Sequence, residues 1–516
     1  MTVDVKRLTG LLLLALVLAS GLLLADDALS SPVAPKKGVR SPSPWLSITG
    51  KASSLGYWEQ GFEDIYKTLL MNLNMPNPYF RTRYAYPSPT FRSAYLWDTA
   101  FISQVWKPWD VMVAQEINQA VIDHAVDGRL PHFANRYSKS DYTQPPVMSW
   151  SVWEDYLWSR DIDYLARVYP ALKNYNRWYY ENRRLKCGLF YWIHSYESGI
   201  DNSPRFSSRD ESLKKDLTRI AAIDVNSYIV RQNEVLSLMA RDLGKEEDAK
   251  EFESKARALR ALINQMMWDE STGYYYDLDV VSGQLVKIRT IASLFPLFAG
   301  VPDPERARKI RDHIMNPQEF NTPFPLPSTA LNDPTFEKDC WRGPIWINTA
   351  YMVIVGLERY GFMDDAGVLS FKLVDGIYKT YKNTGKFVEF YDPQRWDFKE
   401  LSRKKGNLFK LIQNGNKPKP EFVGWTGLAN TLVIEHLIGF KKDRGKRCLS
   451  PNFPDEAQGL AFQLSIPAEG LEIEMELLAS GTTRTTLKNG TTKIEIQLSR
   501  HQVFVIELDK GASFFN

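Results

Sequence analysis

A chain of 516 residues, 44% hydrophobic and 24% charged, is long enough for one large domain with attachments and apolar enough for a sizeable core. Its 64 basic and 61 acidic residues leave a net charge of +3, without the basic excess that a nucleic-acid-binding face requires. Three cysteines in no paired spacing exclude a disulfide framework and a zinc ribbon, and six histidines without an HExxH or HxH cluster argue against a catalytic metal.

The first segment carries Lys6 and Arg7 ahead of an apolar run from Leu11 to Ala25, short for a membrane span and usual for a signal peptide. An export signal over 1–25 is expected, with an uncleaved signal anchor as its rival. Either places the body in the periplasm or outside the cell, with the anchor as its one membrane contact. Residues 26–44, rich in Pro and Ser, read as a disordered linker.

From 45 to 440 the pattern is helical. In "DVMVAQEINQAVIDHAV", Val113, Ile117, Val121 and His124 step by four, four and three; in "DAKEFESKARALRALINQMMW", Phe252, Ala256, Leu259, Ile263 and Met266 do much the same. "WINTAYMVIVGLERY" (346–360) is apolar nearly all round, as in a helix walled in on both sides. Two stretches end a helix near a glycine, Gly188 and Gly273, and run into aromatics. Such units suggest helical hairpins which, closed into a ring, form an (α/α) barrel with its working face made of loops. Residues 441–516 change character. "LEIEMELLA" alternates with period two, and Asn489-Gly490 separates two strand-like runs, so a small antiparallel β module is expected.

"SYESGIDNSPRF" (195–206) sets Glu197 and Asp201 among turn formers and aromatics. An aromatic, partly dry loop disfavours the carboxylate form, which suits a general acid. Read alone, an Asp before Asn-Ser-Pro is more commonly a capping residue. "GKFVEFYDPQ" (385–394) holds Glu389 between aromatic and apolar neighbours, where an acid needs a partner or a task, unless strand alternation points it outward. "SAYLWDTAFIS", "CWRGPIWINTAY" and "FVGWTGLAN" each join a Trp to a polar group, as a sugar site does, although each alone is more commonly core plus helix cap.

Taken in order, "YLWDTAFIS", "TQPPVMSW", "ESGIDNSP", "WRGPIWI", "VEFYDP" and "FVGWTGLA" resemble family 63 glycoside hydrolases, which include processing α-glucosidase I and the mannosylglycerate and glucosylglycerate hydrolases. Family 37 trehalases are more distant relatives. The resemblance spans about residues 57–440. It implies a mainly α fold, an (α/α)6 barrel or six-hairpin toroid, and an inverting, exo-acting α-glycosidase with no cofactor and a small oligosaccharide or glycoside as substrate. It assigns Asp201 as general acid and Glu389 as general base. It places Trp97, Asp98, Gln144, Trp341, Arg342, Trp346 and Trp425 around the sugar. A trehalase-like hydrolase and a catalytically silent carbohydrate-binding barrel are the alternatives, and a polysaccharide lyase ranks last for want of a basic groove. The long basic stretch 394–420 departs from the family pattern, and is expected to be a lid or accessory loop on the leaving-group side.

Overall fold

The helices alternate in character along the chain, and that alternation organises the computed structural model, which describes residues 38–50, 55–206, 216–403, 412, 415–506 and 513–514. The leader expected at 1–25, most of the linker and the middle of 394–420 lie outside the described residues. No helix among the described residues is long and apolar enough to cross a membrane.

The helical part begins with α1 (Tyr57–Met71), then α2 (Leu96–Trp106) and α3 (Val111–Ile122), α4 (Met148–Ser159) and α5 (Ile162–Asn182), α6 (Ile223–Asp242) and α7 (Glu246–Met266). It continues with α8 (Phe295–Phe298) and α9 (Pro304–Met315), then α10 (Ile347–Arg359) and α11 (Met363–Thr384). It ends with the short turns α12 (Val423–Thr426) and α13 (Leu428–Thr431), prolonged by a π-helical stretch Leu432–Leu437. Every residue of α2 is buried, as is nearly every residue of α10. By contrast α7 buries one stripe, Ala249, Phe252, Ala256, Leu259 and Ile263, and opens with three acids that suit its N-terminal dipole. Apolar all-round helices are thus walled on both sides, and striped helices lie outside them.

Neighbour relations follow the same division. α2 packs on α4, α4 on α6, α6 on α8, α8 on α10, α10 on α12 and α13, and these last two on α2. α2, α4, α6 and α10 each also pack on the helix that follows them in the chain, α3, α5, α7 and α11, with α1 and α11 packed together beside the closing turns. Local chemistry sets the ends. Asp110 caps α3 by accepting from the amides of Met112 and Val113, and Asp161 caps α5 through the amide of Tyr164. α11 stops at Gly385, whose φ of +68° carries no steric cost without a Cβ.

The two glycines read from the sequence as helix stops lie later than the helices themselves. α5 ends at Asn182 and α7 at Met266. Gly188 and Gly273, at φ +95° and +71°, turn small hairpins bridging Arg184 to Phe190 and pairing Trp268–Asp269 with Tyr274–Tyr275. Aromatic residues after each helix favour a pleated pair over another helical turn.

The C-terminal strands form two antiparallel sheets. In the larger, β1 (Trp45–Gly50), β2 (Leu460–Ile466), β3 (Leu471–Leu477), β4 (Thr482–Asn489) and β5 (Thr492–Ser499) lie in that order. β3 buries Leu471, Ile473, Met475 and Leu477 and turns its three glutamates outward, as its alternation requires. The β4–β5 loop is Gly490-Thr491, one residue later than the Asn-Gly reading, because Asn489 still pairs with Thr492. β1 precedes all the described helices yet completes this sheet. The Glu59 carboxylate of α1 accepts from the Ile48 amide at 2.6 Å and the Ser47 hydroxyl at 3.1 Å, joining sheet to helix.

Candidate active site

Loops at the N-terminal ends of the inner helices enclose a cavity of about 360 Å³, within the usual range of small-molecule sites. Asp201 and Glu389 both line it, together with Trp97, Asp98, Gln144, Trp341, Trp346 and Trp425. Two acids and six binding candidates spread from residue 97 to 425 thus converge on one hollow. Arg342 does not line it. Its guanidinium turns to Glu337 at 3.3 Å and donates to the Asn202 carbonyl at 3.4 Å, so it ties the Asp201 loop from behind.

One wall is aromatic. Trp341 and Trp346 stack with ring centroids 3.8 Å apart and planes 7° from parallel, while Trp97 lies 5.8 Å from Trp341 and 6.1 Å from Trp425. Apolar faces of this size suit the C–H faces of a sugar ring. Gly199 explains how the Asp201 loop reaches this wall. At φ +74° it favours glycine, and a Cβ there would meet the Trp97 ring at 2.5 Å.

The acid loop is stapled on both sides. Glu197, fully buried, takes a two-point ion pair from Arg183, both contacts at 2.8 Å, and also accepts from the Ile193 amide. Arg205 is buried between Asp224 and Asp277, contacting the latter at 2.9 Å. Asn202 accepts from the Trp341 amide at 2.8 Å. Glu197, one of the two carboxylates of this motif, is therefore an anchor, and Asp201 is the one that faces the cavity.

Glu389 lies in an irregular segment rather than a strand, and is 4% exposed. Its backbone is held by the Trp425 indole, which donates to the Glu389 carbonyl at 2.8 Å, and by Thr426, which donates to the Val388 carbonyl at 3.0 Å. Its carboxylate meets Arg403 through Nε at 2.8 Å and Nη2 at 3.1 Å, a countercharge for a buried anion.

Asp98, in the first turn of α2, is pushed up to about 8, chiefly by burial and further by Glu389, with its own amide opposing. Burial thus favours its protonated form, a hydrogen-bond donor near Glu389. Tyr95 is raised to about 12 by burial and by Asp98, and Tyr142 is raised by burial and then by Asp201. The Trp97 main-chain amide donates to Gln144 Oε1 at 3.3 Å, which fixes that side chain beside the tryptophan wall.

Arg403, Tyr142, His132 and Tyr95 are cavity residues that sequence reasoning passed over. Tyr95 sits inside a quoted motif and was within reach. Arg403 belongs to "SRKKG", which reads as a solvated basic run, and nothing local distinguishes it.

The mannosylglycerate hydrolase MGH1-like glycoside hydrolase domain matches residues 92–400. A mannosylglycerate hydrolase of Thermus thermophilus is 28% identical, with 58% of this chain and 88% of the relative covered. In fold, the crystal structure of a GH63 mannosylglycerate hydrolase from another strain of Thermus thermophilus, in complex with glucose, aligns at a TM-score of 0.60 and 24% identity, over 72% of this chain and 99% of that one. Neutral trehalase Nth1 from Saccharomyces cerevisiae aligns at 0.55 and 16% identity, over 73% and 80%. With the matched domain covering more than half its length, and its acids and tryptophans gathered in one cavity, this chain belongs to the MGH1-like glycoside hydrolases of family 63, enzymes that cleave O-glycosyl bonds.

Proposed function

We propose that the protein is an inverting, exo-acting α-glycosidase that removes a terminal α-mannosyl or α-glucosyl unit from a small glycoside of the glycosylglycerate kind. The observation that carries this is the convergence of Asp201 and Glu389, from separate loops, on a single aromatic-walled cavity. The circuit of inner helices, flanked by striped ones, is, in this reading, an (α/α)6 barrel, and the cavity lies at its loop end.

In the reaction, the Asp201 carboxyl gives its proton to the glycosidic oxygen as the C1–O bond breaks. Glu389 takes a proton from a water that bonds to C1 from the opposite face. The sugar leaves with inverted configuration, a course that requires the two carboxyl groups to be about 6.5 to 9.5 Å apart so as to admit that water. Asp98, holding its proton, donates to a hydroxyl of the bound sugar, and the tryptophans cover the ring faces. Binding in a hollow of this size favours one terminal unit over the middle of a polymer.

Proton NMR of the first product tests the reading. An α-linked substrate should release the β-anomer first, and initial release of the α-anomer rejects inversion. A panel of mannosylglycerate, glucosylglycerate and α-linked disaccharides ranks the leaving groups. The fold likeness to a trehalase supports a second reading, in which the leaving group is itself glucose. Preference for trehalose in that panel would establish it.

A further inference from the structure

The basic stretch 394–420 interrupts the chain between Glu389 and the closing helices, and its two described limbs grip Glu389. On the first limb, the Cys340 amide donates to the Ser402 carbonyl at 3.0 Å, and the Ser402 amide to the Lys338 carbonyl at 2.9 Å. Residue 402 therefore runs alongside 338–340, just ahead of the stacked Trp341. The Arg403 amide donates to the Asn416 carbonyl at 2.9 Å, linking the two limbs. On the second limb, the Glu389 amide donates to the Lys419 carbonyl at 2.9 Å, and the Lys419 amide reaches Glu389 Oε2 at 3.4 Å. Arg403, 7% exposed, is held on both sides before its guanidinium meets the carboxylate.

We infer that Arg403 is a positioning residue for Glu389: its two-point fork fixes the plane of the carboxylate and leaves Oε1 as the oxygen that accepts the proton of the attacking water. A carboxylate oxygen has two lone-pair sites. Oε2 receives both Arg403 Nε and the Lys419 amide, whereas Oε1 receives Arg403 Nη2 alone among these donors. Among the described residues, one site on Oε1 is left to take a proton. The family match ends at residue 400, so this arginine and the second limb lie beyond it.

The groups around the pair fix the sign of the pH effect. Asp98 and Tyr95 both feel the charge of Glu389 from the α2 side. Lys419 is depressed by burial and by Arg403, and Asp201 and Cys340 act on Arg403 from the remaining sides. Burial opposes a negative charge at Glu389, while Arg403 favours it. Removing Arg403 takes away the cation that favours the anion, so the acid limb of the rate profile should move upward.

This inference rests on Glu389 being the base, and the test separates the two. The purified full chain is assayed for fluoride release from α-mannosyl fluoride and α-glucosyl fluoride, whose leaving group needs no proton, so that turnover reports water attack. In Arg403→Gln, kcat should fall about 100-fold, with KM changed less than about threefold. The acid limb of kcat/KM should move up by about one pH unit or more. Arg403→Lys keeps the charge without the fork. It should return the limb towards the wild-type position while recovering part of kcat. An acid limb unmoved in both variants overturns the inference, since an arginine needed only for folding would lower the thermal midpoint and the active fraction and leave the profile in place. Wild-type turnover by Glu389→Gln in the same assay removes the base assignment and Arg403 with it. An inactive Glu389→Gln beside Arg403 variants with wild-type profiles removes Arg403 alone.

Discussion

The two loops that deliver the carboxylates use the same anchor differently. Around Asp201, buried arginine pairs engage residues four positions to either side, Arg183 with Glu197 and Arg205 with Asp224 and Asp277. Around Glu389, the arginine engages the acid itself. A buried ion pair is rigid and directional, so either scheme fixes a loop. Only the second sets a cation directly on the cavity carboxylate. A proton donor and a proton acceptor have opposite needs, and under the proposed roles the arginines are placed to serve each.

The largest effects should come from the acids themselves. Asp201→Asn and Glu389→Gln should each lower kcat on an O-glycoside about 1,000-fold or more. On an α-glycosyl fluoride, Asp201→Asn should regain most of its rate and Glu389→Gln should not, because only the departure of the leaving group is relieved of its proton. Equal rescue of both would erase the contrast between the loops.

Next comes the staple. Glu197→Ala leaves the buried Arg183 guanidinium and the Ile193 amide without their acceptor. Breaking one side of a buried pair costs about 3–5 kcal/mol. Calorimetry should show a lower thermal midpoint, and kinetics a raised KM, as the Asp201 loop loosens. A midpoint equal to wild type would mean that the loop is held mainly by Arg205 and Asn202.

The smallest effect concerns Asp98. Its carboxyl titrates at about 8 in the folded protein and near the ordinary value of about 4 when exposed, so the native state binds the proton more tightly. Stability from this group is complete below about pH 4 and is lost as pH rises towards about 8. Asp98→Asn removes that loss. Its thermal midpoint relative to wild type should be a few degrees higher at pH 9 than at pH 5, although sugar binding weakens. A constant difference across that range would show that Asp98 is already ionised in the fold.

Much of this was legible from the residues. The stripe of α7 and the all-round burial of α10 follow from where apolar side chains recur, and the β3 alternation follows from the pleat. The cavity tryptophans and both acids stood in recognisable motifs. Arg403 did not, because a basic run looks solvated until another segment buries it. Arg342 misled in the opposite sense, since its neighbours Trp341 and Trp346 face the cavity while its own side chain turns to Glu337.

By itself the sequence determined the helical stripes, the alternation of the strands and the motifs that hold Asp201 and Glu389, because each depends on residues within a few turns of one another. Tertiary structure alone decided that β1 joins a strand at the far end of the chain, that Glu197 is an anchor, and that Arg403 meets Glu389. The strand pairing joins residues 45–50 to 460–465. Each ion pair closes an irregular loop of 14 residues with no helical or strand period, so no local pattern records which partner a buried charge will find.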